Sequence, residues 1–355
     1  MVLLGQQQGS VMSLTSSFAD DMNFASLGSD GSVTLWDTRL KKAMHMCIPN
    51  PVGDVDAGEV LLVPDRHLAI TLCGNLIQFF DIRTEIGVVA SDSHSCEVVR
   101  FLGGAHPPGR SSTLIVDEEG FIMPLDLIAM RKSHLLGEFV FGRPIELIDG
   151  GFGSLSNYSS GLGLVMEGTE GKGLARRALF SLGMDGRGCL LSGPAPTERR
   201  DFTLGYLGIA EVSTLFNPPL ANCCGFGGDG RVAIGRADGT YIVCEVTEGE
   251  GVEELMTAPG HAVNGLCHVD FLSNGSLLTV SLCGQITVWD VPSFLLGDDN
   301  AETDGELPKV QCALDHRECA ESPTSVINCA SALGSVTLLT GDADGRVVSS
   351  NLEEC

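Results

Sequence analysis

The sequence predicts an all-β protein assembled from seven similar four-stranded units. Three observations support this fold class. The 355 residues include 45 glycines but only 19% charged residues, and many short apolar runs alternate with turn residues, a composition typical of β-sheet proteins. A pattern of apolar run, turn and second apolar run recurs seven times. The last copy lacks a final strand, whereas the chain begins with an apolar segment that belongs to no complete copy.

The turn residues align the seven copies. Each copy has a residue suited to positive φ between its two apolar runs, and these residues are Gly31, Asn75, Gly120, Gly186, Gly239, Gly284 and Gly345. A polar residue follows the second run at Asp37, Asp81, Asp126, Ser192, Glu245, Asp290 and Asn351. Where no insertion intervenes, successive turns are separated by roughly the 40–45 residues of a four-stranded propeller blade. The repeat therefore predicts a seven-bladed β-propeller.

The ends of the chain are predicted to close the ring. Val2–Gln6 can supply the outer strand that the last copy, "RVVSSNL", lacks, and this pairing would remove an exposed sheet edge. Seven blades use the whole chain, so we expect residues 1–355 to form a single domain. Two segments interrupt the period, 137–177 and 297–306, and we predict that both are surface insertions.

Three segments resemble sequences of the WD40-repeat β-propeller family, namely "LWDTR", "VWDV" and "PGHAVNGL". The resemblance implies blades that contain a hydrogen-bonded set of His, Ser or Thr, Asp and Trp. The first blade offers Ser26, Asp30 and Trp36 without a matching His. The sixth offers His261, Thr279 and Trp289, followed by Asp290, with Cys283 where the Asp would stand. The resemblance also implies a scaffold for protein interactions rather than an enzyme.

Two neighbouring blades end their third strand with an Asp and an Arg two positions apart. Blade 1 has Asp37 and Arg39, and blade 2 has Asp81 and Arg83. This resembles the paired W-D-x-R box of propellers that act as substrate receptors of cullin-4 ubiquitin ligases, and it implies that both arginines contact the damage-binding adaptor. Arg suits an interface because its planar fork pairs with carboxylates. The alternative is a surface ion pair with an Asp of a neighbouring blade.

The net charge of −25 disfavours direct contact with nucleic acid or with an anionic membrane surface. Protein surfaces and basic peptides are better partners. A second hypothesis is therefore a reader of basic peptides or histone tails at an acidic central opening. A third, a propeller hydrolase, finds no support, because the sequence contains no recognisable nucleophile elbow, zinc-protease motif or phosphate loop. We expect no catalytic residue and no cofactor.

The 13 cysteines are scattered, and no Cys-x-x-Cys motif occurs. The first residues lack the features of a signal peptide, so we expect reduced thiols, no disulfide, and a cytoplasmic or nuclear location. Cys312, His316 and Cys319 provide three possible zinc ligands without an obvious fourth. The glycines at 225, 227 and 230 match a nucleotide-binding pattern, but they precede a predicted strand rather than a helix. We therefore expect no metal and no nucleotide, and we expect a monomer.

Overall fold

A computed structural model describes most of the chain. The described residues are 1–17, 20–40, 42–49, 58–84, 87–102, 111–133, 135–136, 145–146, 159–167, 176–192, 198–204, 220–227, 230–247, 251–261, 264–291, 308–320, 325–333 and 337–352. The predicted insertion 297–306 lies outside these residues, as does most of 137–177.

The first half of the chain forms three blades and a short hairpin. The chain starts with β1 (Val2–Gln6). Blade 1 consists of β2 (Val11–Ser17), β3 (Asp20–Gly28), β4 (Val33–Asp37) and β5 (Met44–Ile48). Blade 2 consists of β6 (Gly58–Val63), a 3-10 turn (Pro64–Arg66), β7 (Leu68–Cys73), β8 (Leu76–Asp81) and β9 (Val88–Ser93). Blade 3 consists of β10 (Val98–Phe101), β11 (Ser112–Asp117), β12 (Ile122–Asp126) and β13 (Arg131–Lys132). The hairpin pairs β14 (Leu135–Leu136) with β15 (Ile145–Glu146).

The second half forms four further blades. Blade 4 consists of β16 (Ser159–Glu167), β17 (Arg176–Gly183), β18 (Arg187–Ser192) and β19 (Glu198–Thr203). Blade 5 consists of β20 (Ala221–Phe226), β21 (Arg231–Arg236), β22 (Thr240–Thr247) and β23 (Gly251–Pro259). Blade 6 consists of β24 (Leu266–Phe271), β25 (Leu277–Ser281), β26 (Gln285–Asp290) and β27 (Lys309–Asp315), followed by α1 (His316–Ala320). Blade 7 consists of β28 (Ile327–Leu333), β29 (Thr337–Asp342), β30 (Arg346–Asn351) and β1.

The seven sheets form a closed ring around a central opening. The first strand of each blade contacts the first strands of its two neighbours, in the cyclic order β2, β6, β10, β16, β20, β24, β28 and back to β2. All pairings within the blades are antiparallel, and β1 completes blade 7 through the pairs Val2↔Ser349 and Gln6↔Arg346. The predicted seven-bladed propeller, closed by the two ends of the chain, is confirmed.

The hydrophobic core is divided into seven layers, each between two adjacent blades. Blades 4 and 5, for example, bury Phe180 against Ile234, and blades 2 and 3 bury Phe79 against Ile115. The remaining five clusters follow the same rule around the ring. Burial of each such side chain contributes about 1.5–3 kcal/mol, so apolar contacts between blades hold the ring together.

Six of the seven predicted turn residues have positive φ, from Gly31 at 75° to Gly345 at 82°. The exception is in blade 2, where Gly74 has φ 58° and Asn75 is not left-handed. A two-residue hairpin with positive φ only at its first position favours glycine there. The expectation of positive φ at Asn75 was therefore wrong, because Gly74 is the left-handed residue of this turn.

The predicted insertion 137–177 contains a blade strand, because β16 (Ser159–Glu167) is the inner strand of blade 4. Its Gly and Ser content predicted a loop. The glycines instead allow a close approach to blade 5: a Cβ on Gly161 would lie 2.4 Å from Cys224 Sγ, and one on Gly163 would lie 2.4 Å from the Phe226 ring. Packing, rather than loop flexibility, explains Gly161 and Gly163.

The cysteines differ in part from the prediction. Among the described residues ten cysteines are free thiols, but Cys312 is disulfide-bonded, so the expectation of no disulfide was wrong at this position. Four of the free thiols are buried, and of these Cys223 and Cys244 pack into apolar layers between blades. Among the described residues, no helix has the length and apolar character that a membrane span requires.

Candidate protein-interaction surfaces

Arg39 stands on the outside of the ring, immediately after the third strand of blade 1. Its backbone N–H and Nε both donate to Asp37 Oδ1, at 3.0 and 2.8 Å, and its Nη2 donates to Asp37 Oδ2 at 2.8 Å. A turn closes the strand end, because Leu40 N–H donates to the Asp37 carbonyl, and Thr38 N–H donates to the Met22 carbonyl on the neighbouring strand. The Arg39 side chain is 58% exposed. The hydrogen bonds with Asp37 thus fix the orientation of the guanidinium group, and the Arg39 side chain remains exposed to solvent.

Blade 2 repeats this arrangement. The backbone N–H and Nε of Arg83 donate to Asp81 Oδ1, both at 2.9 Å, and Nη2 donates to Oδ2 at 2.6 Å. Ile82 N–H donates to the His67 carbonyl, as Thr38 does to Met22 in blade 1. The Arg83 side chain is 63% exposed. The similarity of the two boxes means that two neighbouring blades present the same oriented group.

The arginines also lower the pKa values of the aspartates with which they pair. Hydrogen bonds from Arg39 lower the pKa of Asp37 to about 2, and hydrogen bonds from Arg83 lower the pKa of Asp81 to the same value. Both carboxylates therefore remain ionised at any pH at which the protein is expected to work. The fork of each Arg stays paired throughout that range.

The two boxes lie on one face of the propeller. Equivalent strands of successive blades run in the same direction, so the ends of β4 and β8 reach the same rim, here named the box rim. The opposite rim, which carries the hairpin turns such as Gly31 and Gly284, is named the turn rim. The equivalent residue of blade 3 is Ile128, which is 64% exposed.

Apolar side chains surround the first box. Met22 and Leu40 are each 43% exposed and flank Arg39. Together with Arg83 and Ile128 they form what we call the box surface: Met22, Arg39, Leu40, Arg83 and Ile128. Asp126 keeps the turn in blade 3 by accepting the Ile128 N–H at 2.8 Å. Position 247 of blade 5 is a Thr, and the equivalent positions 194, 292 and 353 lie outside the described residues.

Pairing of Arg with an Asp two residues earlier is not confined to the boxes. Arg187 pairs with Asp185 at 2.6 Å in the turn of blade 4, and Arg317 pairs with Asp315 at 2.9 Å after β27. The pair itself is therefore a local stabilising device. Arg39 and Arg83 differ from these arginines because the same Asp–Arg pair occurs on two adjacent blades at the box rim.

The central opening forms a second surface, a cavity of about 300 Å³ lined by the inner strands of all seven blades. On one wall Arg100 Nη1 lies 3.5 Å from Glu59 Oε1, and the Phe101 N–H donates to Glu59 Oε2 at 2.7 Å. Burial raises the pKa of Glu59, although Arg100 acts in the opposite direction.

A second pair of titratable groups lies on β24. Burial raises the pKa of Asp270 to about 6, and the only polar contact of its carboxylate among the described residues is the Phe271 N–H. Burial lowers the pKa of His268 to about 4, and its Nε2 has no hydrogen-bond partner in the described part of the chain. The opening therefore contains a carboxylate without a cationic partner.

Some of the residues predicted to form a hydrogen-bonded set within a blade contact one another in the structure. In blade 1, Trp36 Nε1 donates to Ser26 Oγ at 2.8 Å, and Ser26 Oγ donates to Gln7 Oε1, so Gln7 takes the place of the absent His. Asp30 instead accepts the Ser32 N–H and hydroxyl at the turn.

Blade 6 contains a variant of the same set. Trp289 Nε1 donates to Thr279 Oγ1 at 2.9 Å, and His261 Nε2 lies 3.3 Å from Cys283 Sγ. Asp290 ends β26 opposite Lys309. The thiol of Cys283 thus occupies the position at which the family pattern has an Asp carboxylate.

Sequence reasoning missed two His–Asp pairs. In blade 3, His94 Nε2 lies 2.9 Å from Asp117 Oδ2, and in blade 7, His316 Nε2 lies 3.3 Å from Asp342 Oδ2. His316 Nδ1 also contacts Thr340 Oγ1 at 2.6 Å. Both carboxylates stand three residues before the turn glycine, whereas the family pattern places the Asp next to it. A search that allowed this offset would have found them.

Neither possible metal cluster is suited to a cation. Both ring nitrogens of His316 are engaged and Cys312 is disulfide-bonded, so neither of these two residues is available as a zinc ligand. The donor atoms of His94, Cys96 and Asp117 lie within 4.8 Å of one another. The ammonium of Lys132 lies 3.2 Å from His94 Nδ1, and this positive charge opposes a metal ion there.

Comparison with known proteins gives the same fold. Residues 1–37 and 252–290 match the profile of the family described as "WD domain, G-beta repeat". Two segments of the chain therefore resemble WD repeats. Each match starts on the outer strand of one blade and ends on the third strand of the next, which is the frame of the sequence repeat.

Solved structures agree over almost the whole chain. The crystal structure of the computationally designed Ika8 protein superposes with a TM-score of 0.61 at 15% identity, covering 99% of this chain and 98% of that one. The WD40 β-propeller domain of Doa1 superposes with a TM-score of 0.60 at 13% identity, covering 99% and 95%. No curated protein sequence matches the chain. The fold is that of a β-propeller, as in the WD40 propeller domain of Doa1.

Proposed function

We propose that this propeller is a non-catalytic scaffold that serves as a substrate receptor of a cullin-4 ubiquitin ligase. The observation that carries the proposal is the repetition of an exposed, Asp-oriented Arg on adjacent blades of the box rim. The box surface would dock on the damage-binding adaptor, and another part of the ring would present the target. Ubiquitin transfer would be the work of other subunits.

The composition of the box surface suits an interface. Arg is enriched at interface hot spots, and apolar side chains around it exclude water. Asp37 and Asp81 hold the two guanidinium groups in place before binding, which reduces the side-chain entropy lost on association. Exposed Leu40 and Ile128 would bury apolar area in the complex.

A resemblance within the WD-repeat family is consistent with this role. Three stretches resemble WD repeat-containing protein 53: Phe216–Val243, the segment from Gly260 to Asp290, and Glu306–His316. They fall in blades 5 and 6 and at the entry to blade 7, so they do not include the boxes themselves. With this role we also propose a monomer in the cytoplasm or the nucleus, where such ligases act.

Co-purification with the adaptor tests the proposal. The double variant Arg39→Ala and Arg83→Ala should lose at least about tenfold of the adaptor, since a desolvated interface Arg contributes about 2 kcal/mol or more. Arg187→Ala is the matched control, because Arg187 is also exposed and paired with an Asp two residues earlier, but lies at the turn rim. Equal binding by the double variant and the wild type would contradict the proposal.

A second candidate function is supported by the unpaired carboxylate of Asp270. A Lys or Arg side chain entering the central opening would supply the missing cation, so a basic peptide such as a histone tail fits this site. Asp270→Asn should weaken binding of a histone-tail peptide, whereas Asp238→Asn in the turn of blade 5 should not. Binding unaffected by Asp270→Asn would exclude this mode.

The hydrolase hypothesis receives less support. A hydrolase of this kind needs a nucleophile hydrogen-bonded to a base, and in the described lining of the opening His268 Nε2 has no such partner. We therefore keep the scaffold as the proposed function.

A further inference from the structure

The cavity in the central opening lies toward the box rim. Each inner strand runs from the turn rim to the box rim, because it is antiparallel to the second strand, which leads into the hairpin turn. Residues from the middle and the end of the inner strands line the cavity, such as Ser16 of β2 and Phe226 of β20. Its volume of about 300 Å³ is at the lower limit of pockets that hold small molecules. The space therefore fits a small ligand.

The same backbone contact occurs on two opposite walls of the opening. β10 and β24 both end with a phenylalanine whose N–H donates to a carboxylate. In blade 3, Phe101 N–H donates to Glu59 Oε2 of blade 2 at 2.7 Å. In blade 6, Phe271 N–H donates to Asp270 Oδ1 at 2.9 Å. Blade 6 is three positions from blade 3 in one direction of the ring and three from blade 2 in the other, so the two carboxylates face each other across the opening.

The two carboxylates differ in their surroundings. Arg100 Nη1 lies 3.5 Å from Glu59 Oε1 and offsets its charge. Burial raises the pKa of Asp270 to about 6, and only the Phe271 N–H opposes this effect. Within the described residues, no positive charge thus takes the place at Asp270 that Arg100 has at Glu59. A ligand that brings a cation to Asp270 would make the two walls equivalent.

The strands packed against β24 supply no cation to Asp270. β20, β25 and β28 contain no charged residue. On β21, Arg231 lies over the Phe271 ring, 5.5 Å from its centre, and Arg236 is at the other end of the strand. His268, two residues before Asp270 and on the same face of β24, is neutral at pH 7, because burial lowers its pKa to about 4. It therefore neither neutralises Asp270 nor repels a cation.

The wall beside Asp270 is close-packed. A Cβ on Gly225 would lie 2.5 Å from the Val269 carbonyl oxygen and 2.7 Å from Asp270 Cα. The backbone of β20 therefore lies directly against β24 and fixes the position of the carboxylate. Apolar side chains form much of the remaining lining, among them Leu14 and Phe226. A ligand with a cationic head and a short apolar chain matches both parts of this lining.

We propose that the central opening is a binding site for a small primary aliphatic amine, bound as its ammonium ion. The ammonium group donates to the Asp270 carboxylate, and the carbon chain lies along the apolar lining. The cavity has room for such a molecule but not for the main chain of a peptide as well.

The inference uses the site of the second candidate function and assigns a free amine to it in place of a peptide side chain. It does not depend on docking at the box surface, which adaptor co-purification tests separately. A histone-tail peptide, titrated alongside the amine, separates the two ligands. Binding of the amine, with or without the peptide, agrees with the inference. Binding of the peptide without the amine would overturn it and leave the second candidate function standing.

Titration calorimetry of the intact chain at pH 8 tests the role of the charge. The probes are pentylammonium chloride and 1-pentanol, which share the same carbon chain. We expect pentylammonium to bind at least about tenfold more tightly, because hydrogen bonds to a charged group are stronger than neutral ones. Equal affinities, or no binding of pentylammonium, would overturn the inference, and this comparison needs no variant.

Substitution of Asp270 provides the second measurement. Asp270→Asn should weaken pentylammonium binding at least about tenfold, and Asp238→Asn, in the exposed turn of blade 5, should not change it. In the wild type the affinity should fall about tenfold from pH 8 to pH 5, because Asp270, with a pKa of about 6, takes up a proton while the amine stays charged. The Asn variant should lose this pH dependence. Unchanged binding in folded Asp270→Asn, or a wild-type affinity independent of pH, would overturn the inference.

Discussion

The His316–Asp342 contact at the turn rim and the Asp–Arg pairs at the box rim differ in their exposure to solvent. At the turn rim of blade 7, His316 and Asp342 are completely buried, and the pair links the blade to the connection that precedes it. At the box rim, Asp37 and Asp81 hold arginines whose side chains are more than half exposed. Loss of one member of a buried pair is costly because the other is left without a partner, whereas an exposed pair contributes little. The comparison indicates that the buried pair of blade 7 maintains the fold and that the two exposed pairs of the box rim are available to a partner.

Removal of a buried acid should have the largest effect. Burial alone would raise the pKa of Asp342, but hydrogen bonds from His316 and from the Arg346 backbone N–H lower it overall. Asp342→Ala should reduce the free energy of unfolding by about 2–6 kcal/mol, because it leaves the donors of His316 and Arg346 without their acceptor and each such loss costs about 1–3 kcal/mol,. Urea unfolding measures this. Asp344→Ala, two residues away and exposed, is the control and should have a small effect; equal losses would remove the distinction between the rims.

The pH dependence of that pair has a definite sign. A carboxyl whose pKa is lowered by folding stabilises the protein above its ordinary pKa of about 3.9, and this contribution is lost as the pH falls through the lower value. The difference in stability between wild type and Asp342→Ala should therefore be full at pH 7 and should shrink under strongly acidic conditions. Unfolding curves over pH 2–7 would show it.

A carboxylate in the central opening should have an intermediate effect of opposite sign. Burial raises the pKa of Asp270 to about 6, so its favourable contribution is complete below about pH 3.9 and is lost as the pH rises through 6. Asp270→Asn should therefore stabilise the chain by about 1–2 kcal/mol at pH 8, with no gain at pH 4. A loss of stability at pH 8 would mean that Asp270 has a structural role in the free protein.

The smallest change is expected at the box rim. Arg39→Ala and Arg83→Ala together should leave the melting temperature unchanged within error, because both pairs are exposed to solvent. The pKa values of about 2 for Asp37 and Asp81 predict that this result holds down to pH 3. Differential scanning calorimetry provides the measurement. A marked drop in melting temperature would assign the boxes to blade stability and weaken their proposed role in docking.

The sequence predicted the ring more accurately than the pairs inside it. Turn residues such as Gly31 and Gly239 report a local backbone requirement, so spacing alone located the blades. His94 and His316 were missed because their carboxylate partners are displaced from the family position. Gln7 was missed because it substitutes for His in three dimensions without resembling it in sequence. The glycines of β16 are explained only by Cys224 and Phe226 in the next blade.

Exposure at the boxes could not be predicted from sequence, because it depends on contacts with residues distant in the chain and on the path of the backbone. The Asp–Arg spacing was evident, but a local ion pair and a docking residue have the same spacing. Only their position on the ring separates Arg39 from Arg187.

The pairing of β1 with β30 couples the binding of a partner at blades 1 and 2 to the stability of blade 7. Because Val2 pairs with Ser349, the ring cannot close until all the blades between them are in place. A protein partner that recognises blades 1 and 2 only in the closed ring stabilises that closure by mass action. Occupation of the box surface should then slow amide exchange in β1, even though β1 belongs to blade 7.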